Sequence, residues 1–340
     1  MRTLEVSGEA EWDEFVREHP LGTPFHLIAW KKCLEENFPF RAEYLVAFDG
    51  DLLKGVLPLF LVDNWLVGKA LVSTPVAPYG GALATTQEAF MALRDALANR
   101  AQEIGVQYAE LRNVYAEQSL GFERVTRHVI YMGPLEAGEE KLLESIPRKT
   151  RRIVRKSLEE KFITRVETEN PARFEDLYCR NLRRLGTPPY PRRFMRSLLK
   201  NFRGSVDIRE VYLEGKLVSA VLNLYFGKTV LPSYGAADPA YNAHAPSTFM
   251  YYDLMRVSAA AGYETYDFGK SKIETGSGHF KSHWGLKELP LHYEILLVKR
   301  KQLPNYTPTN PKYQLAIRMW RWLPLWVTRM IGPPILKRLP

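Results

Sequence analysis

A chain of 340 residues, 46% of them hydrophobic, is long enough for about two domains and too apolar to remain unfolded. Its formal charge is +9, and the stretch from Lys299 to Pro340 carries nine Lys/Arg with no Asp or Glu, so the excess sits in that tail and the rest of the chain is balanced. No apolar run approaches the ~20 residues that cross a bilayer.

The opening, MRTLEVSGEAEWDEF, is polar and acidic. It lacks the basic and apolar regions of a secretory signal, which predicts a cytoplasmic protein. Cys33 and Cys179 are far apart without metal-ligand spacing and read as reduced thiols. After PFHLIAWKKCL (Pro24–Leu34) comes YLVAFDGDLLKGVLPLFL (Tyr44–Leu61), two β-rich runs around an Asp-Gly turn, which predicts a hairpin. PYGGAL (Pro78–Leu83) follows, then a helical stretch with Thr at its start and Gly105 at its end, then a strand, VQYAELRN.

Residues 139–200 read as helical and basic, with RKTRRIVRKS from Arg148 and a rigid break at GTPPYP (Gly186–Pro191). The earlier order then recurs. REVYLEGKLVSAVLNLYF (Arg209–Phe226) is a second hairpin, SYGAAD matches PYGGAL, PSTFMYYDLMRVSAAAG is a helix ending at Gly262, and YETYDFGK is a strand. Matching glycines lie 155 to 165 residues apart. Two copies of hairpin, strand, helix, strand predict an α/β (α+β) fold, each copy a mixed, mostly antiparallel sheet flanked by helices. The expected division is 1–138, a linker 139–200, 201–298, and a tail 299–340. The tail interleaves Trp320, Trp322 and Trp326 with Arg and Leu, with prolines that keep its helices short. Such a segment either lies in a membrane interface or clamps the modules.

PFHLIAWKKCL, the basic IPRKTRRIVRKSLEEKF, and GYETYDFGKSK followed by HFKSHWG resemble the Fem-type (FemABX) peptidyltransferases, a branch of the GNAT-like acyltransferases. The likeness runs from about Pro24 to Tyr293, and the tail is similar to the subgroup associated with exosortase (PEP-CTERM) and exopolysaccharide loci. It implies tandem GNAT-like acyltransferase modules that move an acyl or aminoacyl group onto an amine of a cell-envelope or exopolysaccharide precursor, in the cytoplasm or at the inner face of the membrane. The donor it implies is acyl-CoA or aminoacyl-tRNA. No coiled-coil insertion of the tRNA-dependent enzymes fits in the linker, and the Arg-x-x-Gly-x-Gly loop of acetyl-CoA-dependent relatives is missing. A strict aminoacyl-tRNA-dependent peptidoglycan enzyme is one alternative, and a non-catalytic basic scaffold is another.

Amide formation needs a proton acceptor, donors for an oxyanion and a cradle for the donor's phosphates. The cradle candidate is the helix start at HAPSTFMYYD, where Ser247 or Thr248 would cap and Pro246 suits an early position; an ordinary capped helix is the plain alternative. The resemblance assigns Lys281 to the oxyanion and Phe280 to the pocket, against a solvated loop lysine. Lys270 and Lys272 would bind phosphate, with Gly276 and Gly278 as hinges of a polar loop. Asp267 is a candidate base or a structural ion-pair partner. His279 and His283 lack the glutamate of a zinc helix, so no metal is expected. For the acceptor, the resemblance points to His26, Trp30 and Lys31 with Arg151, Arg152 and Arg155; the indole of Trp30 also suits a core. Tyr79 and Tyr234 either line a cleft or mark a bulge.

Overall fold

The computed structural model describes residues 2–3, 8–64, 68–126, 128–272, 276–302 and 311–337. The chain forms two compact units: Met1–Arg127 with Pro290–Asn310 and Pro334–Pro340, and His128–Leu289 with Pro311–Pro333.

The first unit holds two sheets. One runs Arg2–Thr3, Leu45–Asp49, Leu52–Leu57, Leu83–Ala84; the other runs Arg41–Ala42, Phe60–Asn64, Gly68–Val72, Tyr108–Asn113, His292–Leu297, Glu123–Val125. Pro58 explains the split. It has no N–H for a ladder bond, so the strand ends at Leu57 and Phe60 starts the second sheet. The helix Gln87–Ile104 is bounded as its sequence predicts. Thr86 Oγ1 accepts the Ala89 amide at 3.2 Å, and Gly105 ends it at φ +69°. Its buried stripe, Ala89, Leu93, Leu97 and Ala101, packs with Leu45, Leu57 and Leu111.

The second unit has one seven-stranded sheet: Ile163–Glu167, Val206–Leu213, Lys216–Phe226, Thr229–Ala237, Thr265–Lys272, His128–Pro134, Lys287–Pro290. Asn223 stands where the first repeat has Pro58, and Lys216–Phe226 therefore continues unbroken for 11 residues. The Asn223 amide donates to Asp207 Oδ1 at 2.7 Å. The helix Pro246–Ala260 crosses between Thr229–Ala237 and Thr265–Lys272, burying Tyr252, Leu254 and Met255 in a core with Val211, Val221 and Phe268. Fully buried leucines of this kind are each worth about 1.5–3 kcal/mol.

The expected boundaries shift. Residues 139–200 are not a separate linker: Ile163–Glu167 pairs with Val206–Leu213 from Ile163↔Tyr212 to Glu167↔Ile208, and the helices Arg148–Leu158, Ala172–Leu185 and Phe194–Asn201 belong to the second unit. Local charge in that segment hid the short apolar alternation of an edge strand. His292–Leu297 pairs with Tyr108–Asn113 in the first unit rather than joining the second module. The tail forms helices Pro311–Trp322 and Leu325–Leu336. Among the described residues no helix is long and apolar enough to cross a membrane.

Candidate active site

Two parallel strands at the centre of the second unit pair at Thr229↔Thr265 and Val230↔Tyr266 and then part. Each follows its other neighbour, as far as Ala237↔Ser219 on one side and Lys272↔His128 on the other. Each also carries a bulge. Ser233 is the extra residue between Tyr234 and Pro232, and Phe268 with Gly269 oppose one residue between Met132 and Ile130. Gly269 sits at φ +67°, a conformation natural to glycine. Bulges bend and twist strands, and here they stand where the two strands diverge into a wedge.

The crossover helix starts at this wedge. Ala245 precedes it in left-handed conformation (φ 53°, ψ 46°), Pro246 takes the first helical position, and no side chain caps it. Ser247 and Thr248 are therefore inside the first turn rather than at the cap expected for them; a cap needs non-helical backbone, which Pro246 already forecloses. They instead line a cavity of about 400 Å³ together with Gly235, Tyr251, Phe280 and Lys281. An uncapped helix start offers amide donors and the positive end of a dipole to an anion.

Residues Gly276–Ser282 form a short helix where a polar loop is expected. It presents Lys281, whose Nζ donates to the carbonyls of Phe268 at 2.5 Å, Lys270 at 3.2 Å and Gly269 at 3.3 Å. All three ammonium protons are thus spent on the bulge. Burial holds its ammonium down to about 8, against the attraction of Asp267. Phe280 is half-buried in an aromatic wall, 5.6 Å from the Tyr251 ring and 5.9 Å from Trp284. Tyr251 was not anticipated. Its phenol is pushed up to about 12 by burial, and a Cβ at Gly235 would run into its hydroxyl. The signal was present: Tyr251 lies one helical turn after Ser247, on the same face.

Asp267 is fully buried and its Oδ1 accepts the Gly269 amide at 2.7 Å. It shapes the bulge, the structural alternative expected for it, and is not among the residues lining the cavity. Lys270 sits in the bulged strand, half-buried, and Lys272 ends that strand with its side chain outside the described residues. Gly276 and Gly278 fall inside the short helix. His279 and His283 are exposed, and no metal-holding group of His, Cys, Asp and Glu occurs among the described residues. Tyr234 points away from the wedge into a ring cluster, 5.4 Å from Tyr190 and 6.0 Å from Tyr178. Tyr178 and Tyr190 line a second cavity, about 360 Å³. Donor binding by the Tyr234 side chain is therefore replaced by packing; its neighbour Gly235 faces the wedge.

The acceptor residues expected in the first unit are largely packing residues. Trp30 is fully buried, its ring 4.9 Å from Phe25, and Tyr79 is buried 5.3 Å from the same Phe25. His26 is fully buried. Its Nε2 lies 3.0 Å from the Gly81 carbonyl, which requires a proton there, and Nδ1 accepts from the Thr23 hydroxyl at 2.7 Å. Lys31 pairs with Glu9 at 3.2 Å and Glu35 at 3.3 Å. Aromatic and basic residues at a helix start resemble a binding motif, but amphipathic spacing buries them. Arg152 and Arg155 are exposed and Arg151 is half-exposed on Arg148–Leu158, and among the described residues none of the three forms an ion pair.

The first unit has its own pair of diverging parallel strands, Gly68–Val72 and Tyr108–Asn113. There the gap is stitched. Ser73 Oγ accepts the Arg112 amide at 2.8 Å, the Gly80 amide donates to the Arg112 carbonyl at 2.8 Å, and the buried Arg112 guanidinium pairs with Glu110 at 2.8 Å and reaches the Ala77 carbonyl at 3.1 Å. These bonds hold Thr74 and Val76 at φ 45° and 70°, where β-branched residues are strained.

Residues 145–282, spanning most of the second unit, match the acetyltransferase (GNAT) domain family. No curated protein matches the chain significantly. Among solved structures the fold is similar to FemX (TM-score 0.71, 17% identity, 93% of this chain and 100% of that one). It is also similar to L-PGS from Bacillus licheniformis (0.55, 14%, 93% and 98%) and to a tandem GNAT protein from the clavulanic acid biosynthesis pathway (0.54, 11%, 89% and 98%). The chain is an acyltransferase with a GNAT-type domain.

Proposed function

We propose that this acyltransferase binds an acyl-CoA in the wedge of its second unit and transfers the acyl group to an amine of a cell-envelope or exopolysaccharide precursor. The observation that carries the reading is the uncapped start of Pro246–Ala260 opening into a cavity between two parting parallel strands, with Ser247, Thr248 and Lys281 on its walls. The helix start would take the donor's phosphates, and the free edge of Gly235–Ala237 would take the amides of an extended chain.

The chemistry follows from what surrounds the wedge. The neutral amine attacks the thioester carbonyl, a C–N bond forms, the C–S bond breaks, and the amine's proton ends on the thiolate. Lys281 is the cation nearest the developing oxyanion in this reading. Its two bonds of 3.2 and 3.3 Å are the weak ones, and an oxyanion would compete for those protons. Phe280, Tyr251 and Trp284 keep water away and strengthen that charge interaction. Tyr251, protonated at neutral pH, suits the proton donor to the thiolate. With Asp267 sealed in the bulge, the attacking amine would lose its proton to water or to substrate, and that proton would return to Tyr251 after Tyr251 has protonated the thiolate.

A second reading, with aminoacyl-tRNA as donor and a peptidoglycan precursor as acceptor, has one observation in its favour. Arg152 and Arg155 stand exposed on Arg148–Leu158, with Arg151 beside them, a helix that has no acid in its first turn and suits a phosphate backbone. Both readings place the reaction in the cytoplasm, with the exosortase-associated loci as the setting for the first. A thermal-shift screen with acetyl-CoA, a long-chain acyl-CoA and an aminoacyl-tRNA minihelix separates them. A donor at 100 times its Kd stabilises by about 2.7 kcal/mol. A shift with a CoA thioester that Lys281→Ala or Ser247→Ala/Thr248→Ala diminishes supports the first. A shift with the minihelix alone, lost in Arg152→Glu/Arg155→Glu, assigns the second. No shift with any donor by a folded sample overturns both and leaves a basic scaffold.

A further inference from the structure

The tail helices are docked on one side only. Toward the second unit, Trp320 and Thr328 are buried, and Gly332 packs against Pro189 so closely that a side chain there would collide with the proline ring. Arg329 pairs with Asp176 at 2.5 Å, and Arg183 donates to the Leu323 carbonyl at 3.4 Å. The other side carries Leu315, Met319, Trp322, Trp326 and Met330, each between 62% and 84% exposed. Steps of four and three residues set Leu315, Met319 and Trp322 on one face of Pro311–Trp322, and a step of four sets Trp326 and Met330 on one face of Leu325–Leu336. Single exposed apolar residues are ordinary, but five large ones on the outer faces of two consecutive short helices, two of them tryptophans, are not.

We propose that these two faces lie in the interface of an anionic bilayer, seating the second unit on the membrane surface. Charge selects the partner. Arg318 is exposed among the apolar residues, Arg321 is exposed beside them with one N–H donated to the Leu185 carbonyl at 3.4 Å, and no Asp or Glu occurs anywhere from Lys299 to Pro340. A two-fold contact of tail against tail would enclose these arginines with no acid from either copy of the tail to pair them. A layer of lipid phosphates instead gives Arg318 and the remaining N–H groups of Arg321 a partner while the indoles enter the headgroup region. Each helix has 12 residues, too short to span and long enough to lie flat. This surface is independent of the donor, so vesicle binding can fail while donor binding stands, and the reverse.

The test is flotation of the full chain with vesicles of phosphatidylglycerol and phosphatidylcholine against pure phosphatidylcholine. Binding is expected to the anionic vesicles, to weaken as salt rises, and to fall at least tenfold in Trp322→Ser/Trp326→Ser. Because both indoles are exposed, that variant is expected to keep its circular dichroism and its unfolding midpoint, and a milder Arg318→Gln is expected to lose anionic preference alone. No binding to anionic vesicles at low salt overturns the proposal, as does equal binding by the double variant. A dimer in light scattering that the double variant abolishes assigns the two faces to a second copy and overturns the proposal too.

Discussion

Replacing Lys281 by methionine has a pH signature that needs no substrate. In the folded chain burial holds this ammonium near 8, against 10.5 when exposed. Between those values the unfolded state binds more protons than the folded one, so stability rises with pH across the window and is lost again as pH falls through about 8. A gap of roughly 2.5 pH units corresponds to about 3 kcal/mol, an upper figure because the side chain is half-buried and some solvent reaches it. Methionine removes the titration and also strands the carbonyls of Phe268, Gly269 and Lys270, which cost about 1–3 kcal/mol when a buried partner is lost. At pH 7 the two effects oppose, because the variant loses a desolvated charge along with three bonds. At pH 10 the charge penalty is gone from the wild type and the lost bonds remain. Urea unfolding of both proteins at pH 7, 8, 9 and 10 reads the difference, in which the buried tyrosines cancel. The expected result is a variant deficit that grows by up to about 3 kcal/mol as pH rises. A deficit that stays flat from pH 7 to 10 would refute the buried-cation account.

Gly235→Ala places a methyl group against the Tyr251 hydroxyl, whose ring is held 4.9 Å from Phe268. Overpacking of this kind costs about 1–3 kcal/mol, and donor affinity by calorimetry is expected to drop at least tenfold; unchanged affinity would show that the wedge does not take the donor. His26 is held down to about 4 by burial, so the neutral ring stabilises the first unit at pH 7 and that stability is lost as pH falls from 6.5 through 4. The loss is about 2 kcal/mol at pH 5, and in His26→Gln the same acid step in urea midpoints should be smaller by that amount.

The duplicated hairpins, the two crossover helices and the ends of the first of them were legible because local chemistry determines them: Thr86 caps, Gly105 ends at positive φ, and the Asp-Gly and Glu-Gly turns close hairpins at Gly50 and Gly215. Lys281, Ser247 and Thr248 were also legible as a group, and the cavity does bring them together. What failed depends on partners distant in sequence. Whether His26 faces a ligand or the core is decided by Gly81, 55 residues away, while Trp30 packs on nearby Phe25 as a core indole does. Asp267 was read as an acid at a strand end, but its role is set by a bulge that no periodicity announces. The edge strand Ile163–Glu167 is half charged and pairs on one side, so its pattern did not stand out from the helices around it. Pro58 against Asn223 was readable in principle. One missing N–H separates a sheet that splits from one that continues.

The stitched gap of the first unit bears on stoichiometry. Arg112, Ser73 and Gly80 spend on one another the backbone groups that a second donor would need. If the donor binds as proposed, duplication has not doubled the number of seats. A titration should saturate at one donor per chain, with a simple hyperbola and no cooperativity within a chain, while the bonds around Arg112 keep Thr74 and Val76 at positive φ.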